Sequence, residues 1–340
     1  MAKIKIYLLL ITVIFCLLSG CTTIFSSSND EKKPESNLTA DAIYTDKNAI
    51  HELTIDLISH AKKSIYIQLT SLDDQEIITL LIARTHDGIE TRILLDQWQR
   101  ENKATIKKLK NENISVQYYP AEKGQYQRIR YLVIDDQTAV FYGKDWSTKG
   151  YKYKSMAVKL TGDAVTTIAK SFRKDWTYTT TLSLDSENMP VLDEDNITFA
   201  TTVNIKSQIL NQIDTAAASI KIETEQLSEG TTLDALIEAK KRGCKVQVIV
   251  SPSCVITSPN AIDKMKEAQI ELRYYRDPGK KSIGYNYGIF DDKTFVMTNS
   301  AWSYPTFVIY HEGSLTIPSP TATQKMNAIF QQEWKNSTKS

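Results

Sequence analysis

The sequence predicts an α/β protein built from two copies of one unit. Each copy is a mixed, mostly parallel sheet flanked by helices, and the two pack with pseudo-twofold symmetry. Three observations carry this. Ala61–Lys62–Lys63–Ser64–Ile65–Tyr66–Ile67 aligns with Ala216–Ala217–Ala218–Ser219–Ile220–Lys221–Ile222, and the register persists at a shift of 155, later 156, positions. Helical and strand-like apolar periods alternate along each copy. Each copy also carries an Asp-Asp turn between apolar runs, Asp135–Asp136 and Asp291–Asp292, followed by Trp146–Ser147 and Trp302–Ser303.

In the first copy Ile50, Leu53, Leu57, Ile58 and Ala61 recur at helical spacing, and Ser64 to Leu69 alternates as a strand. Ile77, Ile78, Leu81 and Ile82 mark a second helix that stops near Gly88, and Ile89 to Leu95 reads as a buried strand. A helix around Ile106 and Leu109 leads to a strand at Ile114–Tyr119. Two further strands, Arg128–Ile134 and Ala139–Tyr142, are joined by the polar turn Asp135–Thr138. Val165, Ile168, Ala169, Phe172 and Trp176 lie on a closing helix. The second copy repeats this order and closes with Met326, Ile329, Phe330 and Trp334. Helices between strands favour a sheet covered on both faces.

The front end reads differently. Lys3 and Lys5 precede an apolar run from Ile6 to Leu18, too short to span a bilayer comfortably, and Leu18–Ser19–Gly20 puts small residues before Cys21. This resembles a bacterial lipobox, in which Cys21 carries the lipid. A plain signal peptide or a short membrane helix are the alternatives. From Thr22 to about Asp46 the chain is polar and reads as a tether. The expected organisation is a leader over 1–20, a tether over 21–46, repeats over 47–178 and 199–336, and a polar linker over 179–198. The expected location is the cell membrane, lipid-anchored and facing outside the cytoplasm. The formal charge of +1 includes Lys3 and Lys5, so the mature chain carries −1, and no nucleic-acid partner is expected. Cys244 and Cys254 remain; a disulfide is permitted outside the cell, but both lie in or just beyond one strand, which disfavours it.

These features together resemble the phospholipase D superfamily. The supporting residues are Asp87–Gly88 through Asp96, Arg242–Gly243 through Val250, the paired Asp135 and Asp291, and the tryptophans after each motif. The resemblance covers about 47–176 and 203–334. The family motif is His-x-Lys-x4-Asp, followed by a Gly-Ser-x-Asn-like segment. Its chemistry, as the resemblance implies, uses one His as nucleophile on phosphorus and the other to protonate the leaving oxygen, with no metal or cofactor.

Neither copy carries that motif intact. Arg128 and Arg130 stand at the first copy's His and Lys positions, before Asp135; Gly284 and Asn286 stand at the second's, before Asp291. A guanidinium stays protonated and offers no lone pair, and glycine offers no side chain. All four histidines, His51, His60, His86 and His311, lie elsewhere. Arg128, Arg130 and Lys144 are therefore candidates for a phosphate or anionic headgroup site, weighed against a solvated strand face. For Asp135 and Asp291, turn chemistry is the stronger reading. Tyr285 and Tyr287 read as packing residues and Trp146, Trp176, Trp302 and Trp334 as core. Lys152–Lys154 and Lys280–Lys281 read as solvated loops, able to touch anionic headgroups near an anchor. Glu312 stands where the family often has a Glu, and Met156 is its counterpart by repeat register.

Three function classes follow. The first is a lipid-anchored pseudoenzyme keeping the double fold as a cleft for anionic ligands or an envelope protein. The second is an active phosphodiesterase or phosphatidyltransferase using His311 or a tyrosine. The third is a structural surface lipoprotein.

Overall fold

A computed structural model describes residues 35–340. The leader, Cys21 and the first part of the expected tether lie outside the described residues. Two mixed sheets form the frame. In the first repeat the strands are β1 (Ile43–Tyr44), β2 (Ser64–Leu69), β3 (Glu90–Asp96), β4 (Ser115–Tyr119), β5 (Tyr131–Ile134), β6 (Thr138–Tyr142) and β7 (Ala157–Leu160), in the order β1-β7-β6-β5-β2-β3-β4. In the second they are β8 (Thr198–Thr201), β9 (Ser219–Thr224), β10 (Lys245–Val250), β11 (Glu271–Tyr274), β12 (Tyr287–Phe290), β13 (Thr294–Thr298), β14 (Gly313–Ile317) and β15 (Thr338–Lys339). Their order is β15-β11-β10-β9-β12-β13-β14-β8.

The helices of the first repeat are α1 (Lys47–Ser59), α2 (Gln75–His86), α3 (Asn102–Asn111) and α4 (Ala164–Thr180). Those of the second are α5 (Val203–Thr215), α6 (Gly230–Lys241), α7 (Cys254–Thr257), α8 (Pro259–Glu267) and α9 (Pro320–Asn336). Among the described residues no helix is long and apolar enough to cross a membrane.

The sheets are less parallel than the alternation of elements suggests. Parallel pairing is confined to β2–β3–β4 and β9–β10–β11; the other strand pairs are antiparallel. The reason is local. The Asp-Asp turns join β5 to β6 and β12 to β13 directly, without the helix that a parallel crossover needs. All four aspartates have φ between 51° and 56°, and Gln137 and Lys293 donate back to the Ile134 and Phe290 carbonyls at 2.9 and 3.0 Å. These are tight hairpin turns with both central residues left-handed, a role Asp fills well.

Alternation on the central strands sorts the core into three layers. On β2 the residues Ile65, Ile67 and Leu69 face α1 and α2 in an outer core, while Tyr66 faces inward. On β9 Ile220 and Ile222 face α5 and α6 in the other outer core. The inner core is shared: Tyr66, Tyr131, Phe141, Phe172 and Trp176 lie in one cluster with Tyr287, Phe295, Leu315 and Phe330. Each repeat thus completes the burial of the other. Trp146 and Trp302 are buried in the outer cores, as expected. Cys244 and Cys254 are both buried and unpaired with each other.

Two edges depart from expectation. Residues 36–44, placed in a flexible tether by composition, are docked: the Ser36 N–H donates to the Pro318 carbonyl at 2.8 Å, and β1 pairs with β7. Lys325 on α9 donates to the Ala40 carbonyl at 2.9 Å and to that of Ile43 at 2.5 Å. The strand expected over Arg128–Ile134 begins only at Tyr131, because Arg128 pairs across to the other repeat instead.

That cross-pairing is reciprocal. The Arg128 N–H donates to the His311 carbonyl at 2.7 Å and the His311 N–H to the Tyr126 carbonyl at 2.9 Å. On the other side Lys154 N–H donates to the Ser282 carbonyl at 2.9 Å and Ser282 N–H to the Lys152 carbonyl at 3.3 Å. The side chains follow suit. His311 Nε2 lies 2.6 Å from Asp175 Oδ2, and its ring stacks on Tyr119 at 4.6 Å. Asp175 also accepts from Gln68 Nε2, whose Oε1 accepts from Tyr131. The matching set is Lys154, bonded to Glu333 at 2.6 Å and Asp277 at 2.8 Å, with Glu223 accepting from Tyr287 at 2.9 Å.

The two sets differ where Gln68 is replaced by Glu223. Burial, reinforced by the nearby Glu333 charge, pushes the Glu223 carboxyl up to about 8. A carboxyl raised in the folded state carries no penalty below its unfolded value of about 4.3, and the full penalty above the raised value. Stability therefore falls as pH rises through this window. Glu223→Gln restores the side chain the first repeat uses at this position. It is expected to be more stable than the parent at pH 8.5 by about 2–4 kcal/mol and nearly equal at pH 4.5. Chemical denaturation at the two pH values checks this, and equal differences at both would contradict it.

Candidate functional site

The carboxyl ends of β2, β3, β9 and β10 point the same way, and between the two repeats a cavity of about 350 Å³ opens there. Crevices of this kind are the usual binding places of open α/β sheets. Arg128, Arg130, Lys144, Asp145 and Glu225 line it together with the hydroxyls of Ser71, Ser147 and Ser303. Sequence position alone brings Arg128, Arg130 and Lys144 to one place, and the structure does so as well.

Their charges are not equally available. Arg130 is buried; its Nε donates to Asp145 Oδ1 at 2.9 Å and its Nη1 to the Asn299 carbonyl at 2.7 Å. Asp145 itself accepts from the Thr70 and Ser71 N–H groups at 2.9 and 3.1 Å. Lys144 reaches across to Glu225, with its ammonium 4.5 Å over the Tyr153 ring. Burial works to raise the Glu225 carboxyl, but Lys144 and the Asn286 amide more than offset it and hold the group below its usual value. Arg128 makes no ion pair among the described residues. Its guanidinium lies 4.8 Å over Tyr126 and 5.7 Å over Tyr310.

Asn286, at the second lysine position, is buried and structural. Its Oδ1 accepts from Thr224 Oγ1 at 2.8 Å and from the Glu225 N–H at 3.0 Å, and its amide donates to Glu225 Oε1 at 3.1 Å. Sequence reasoning missed Glu225. Its only signal was position, one residue beyond the central strand β9.

Gly284 has a steric reason. A Cβ built there would overlap the Lys154 carbonyl oxygen and come within 2.8 Å of Tyr153 Cβ and 2.9 Å of Lys144 Cε. The cross-pairing that joins the repeats thus fills the space a side chain would need. Asp135 and Asp291 lie outside the cavity and hold turns. Asp135 accepts from the N–H groups of Lys62, Lys63 and Ser64 at 2.7–3.2 Å, and Asp291 from those of Ala217, Ala218 and Ser219 at 2.7–2.9 Å. Burial tends to raise the Asp291 carboxyl, but these three donors outweigh it and keep the pKa depressed. Tyr285 and Tyr287 are buried, as the packing reading has it.

None of the four imidazoles lines the cavity. His51 faces Asp74 at 3.2 Å, His60 faces Asp56 at 3.1 Å, and His86 faces Glu112 at 3.4 Å. His311 contributes its backbone to the rim while its ring turns away to Asp175.

Glu312 is wholly buried beside the two arginines, and neither carboxylate oxygen has a hydrogen-bond partner of good geometry. Burial lifts it to about 7, against the opposing pull of Arg130, then Ser300 and Arg128. Its counterpart is Ser155, not Met156. Tyr142 pairs with Ala157, whereas Thr298 pairs with Ser314, so the second repeat has one residue more between these strands. A π-helical turn at Pro305–Ile309, closed by the Tyr310 N–H to the Pro305 carbonyl, stands where the first repeat has a 3-10 turn at Gly150–Lys152. A π turn is how an α/3-10 segment absorbs a single extra residue.

Gly284→Ala is expected to cost about 2 kcal/mol or more, because the obstructing atom is backbone rather than a flexible side-chain tip. Asn286→Ala, which removes Glu225's amide support, is expected to cost about 1–3 kcal/mol. Denaturation midpoints for the two variants check both, and a Gly284→Ala protein as stable as the parent would show that the Lys154 segment yields freely.

A family model described as cardiolipin synthase, PLD-like domain, matches residues 54–176 and again 209–334, well over half of the chain. Phospholipase D of Rickettsia conorii (strain Malish 7) is 33% identical over 92 residues, covering 27% of this chain and 44% of that protein. The Rickettsia bellii phospholipase D matches over the same length at the same identity. The chain thus spans less than half the length of these relatives. Among solved structures, phosphatidylserine synthase of Haemophilus influenzae Rd KW20 is similar at a TM-score of 0.65 and 13% identity, covering 89% of this chain and 90% of that one. Polyphosphate kinase of Porphyromonas gingivalis also gives 0.65, at 12% identity, covering 86% of this chain and 47% of that one. At such identities the likeness is one of fold. Two matched repeats, with the paired sheets and shared crevice described above, place this chain in the phospholipase D superfamily, to which it belongs.

Proposed function

We propose that this protein is a membrane-anchored, phospholipase D-like lipoprotein whose central cleft binds rather than cleaves, holding a phosphate-bearing or other anionic group, or a partner that presents one. The observation that carries this reading is the Gly284 position, where the backbone of Lys154 occupies the place of a side chain. A two-imidazole mechanism needs a free lone pair on one side of phosphorus and a proton donor on the other. Here one position holds a permanently protonated guanidinium and the other holds nothing that can transfer a proton. His311 offers no substitute, with Nε2 on Asp175 and its ring against Tyr119.

The binding half of the reading rests on Arg128. Arg130 and Lys144 are already matched to Asp145 and Glu225, so they position the cleft more than they receive a ligand. Arg128 and Lys149 are the cations in the cleft wall whose donors are not committed to a carboxylate among the described residues, Arg128 being the one at the motif position, and Ser147 and Ser303 supply hydroxyls around it. The anchoring half rests on Lys3, Lys5, the apolar run and Cys21.

Turnover of phosphatidylglycerol and of bis(p-nitrophenyl) phosphate is expected to stay at the no-protein background. Hydrolysis abolished by Arg128→Ala or His311→Ala would refute the binding-only reading. Inorganic phosphate is expected to raise the melting temperature of the parent and not that of Arg128→Ala; equal shifts would remove Arg128 from the site. The mature protein should carry acyl chains on Cys21 by mass spectrometry, and Cys21→Ser should leave the membrane fraction.

A further inference from the structure

The rim of the cleft carries a feature that anion binding does not use. Ten large hydrophobic side chains are exposed among the described residues, and six of them sit on loops around this one opening. Trp98, 42% exposed, follows β3 and adjoins the cavity residue Gln99. Val255 and the 85% exposed Ile256 lie on α7 after β10. That short helix is fixed to the cavity wall: Cys254 Sγ donates to the Glu225 carbonyl at 3.3 Å, and Gln226 Nε2 to Ser258 Oγ at 2.6 Å. Tyr304, Val308 and Ile309 flank the cavity residues Pro305, Thr306 and Tyr310 on the π turn after β13. All these loops leave strand ends that point in one direction, so the six side chains share one face.

The same face is basic. Arg100, Lys123, Lys149 and Lys152 are exposed on loops leaving the carboxyl ends of β3, β4 and β6, and none of them makes an ion pair among the described residues. Glu101 and Glu122 lie among them, and so do Asp73 and Asp74 on the loop leaving β2, where Asp73 accepts from the Thr148 N–H at 2.7 Å and Asp74 caps α2 and accepts from the Tyr151 hydroxyl at 2.6 Å. Scattered aromatic and aliphatic side chains ringed by unpaired cations suit the boundary between headgroups and acyl chains of an anionic bilayer.

Chain length permits this orientation. Ser36 bonds to Pro318 at the end of β14 away from the cleft, about 17 Å below Gly313 at β14's five-residue length. The fifteen residues from Cys21 to Glu35 extend at most about 50 Å, enough for the anchor position and the rim to reach one surface.

We propose that the cleft rim docks onto an anionic lipid surface, with Trp98, Ile256, Tyr304 and Val308 entering the interfacial region and the four cations meeting headgroups. The cleft then opens onto the bilayer rather than away from it. The inference rests on the anchored reading only for its target, a membrane, and not on the state of the catalytic positions.

The test uses the full chain reconstituted in phosphatidylglycerol/phosphatidylcholine vesicles carrying acyl-brominated lipid. Trp98 is the tryptophan exposed to solvent, and its emission is isolated by subtracting Trp98→Phe. Quenching of the Trp98 component by at least one half is expected, lowered at least twofold by Ile256→Ser/Val308→Ser. Both substitutions are at exposed sites and leave the core intact. A Trp98 component that stays unquenched and fully accessible to aqueous acrylamide overturns the proposal. If Cys21 is acylated in that same sample, the anchored reading stands while the docking face falls. Quenching equal in vesicles of phosphatidylcholine alone overturns the role given to the cations.

Discussion

The structure depends on an exchange of chain between its two repeats. Each repeat sends the loop that follows its Asp-Asp hairpin across to pair with the segment that precedes the hairpin of the other. The pairing is backbone to backbone, at Arg128–His311 and Lys154–Ser282, and each crossing loop plants a basic or imidazole side chain in a polar pocket beneath the opposite sheet. Such groups are costly to bury alone and tolerable when paired. The exchange therefore fixes the orientation of the sheets, while the shared aromatic core fills the space between them.

Because the cleft is built by that exchange, its chemistry is hostage to how tightly the chains cross. On the first side the crossing leaves Arg128 a place among Tyr126 and Tyr310. On the second the Lys154 carbonyl comes so close that only glycine fits at 284. One added residue in the second repeat, taken up by the π turn, is part of this asymmetry, and it sets Glu312 opposite Ser155. The charges have diverged in step. The first repeat contributes Arg130 with Asp145 and Lys144, and the second answers with Glu225, Asn286 and Glu312. The result is a polar cleft in which Arg130 and Lys144 are matched by Asp145 and Glu225, while Arg128 and Lys149 carry no carboxylate partner among the described residues.

Shared fold with a phosphatidylserine synthase or a polyphosphate kinase does not carry their chemistry across, since function sits in the site rather than the scaffold. The cleft lies at the carboxyl ends of the parallel strands, between the two repeats. A site held there by rigid strands can change its chemistry while the frame persists, and the inward-facing residues show this. Tyr131 and Tyr287 are the same, Gln68 and Glu223 differ by one atom, and His311 and Lys154 share only their role of reaching across to an acid.

The amino-acid sequence by itself determined the repeat, the order of strands and helices, the buried tryptophans and the turn role of Asp135 and Asp291. Those are local properties, set by apolar period and turn chemistry that recur within a few residues. It also picked out Arg128, Arg130 and Lys144, which the structure places on one cavity wall, and Gly284 and Asn286, which lie against Lys154 and Glu225 beside it, because motif spacing survives even when the residues change. It overestimated parallel pairing and began the strand at Arg128 too early, since a hydrogen-bond partner from the other repeat leaves no local trace. Tertiary structure alone decided which cations are free, why glycine stands at 284, that 36–44 is docked, and that Glu225 belongs to the cleft. Each of these is a contact between residues tens to hundreds of positions apart, fixed by the geometry of two chains crossing rather than by any local pattern.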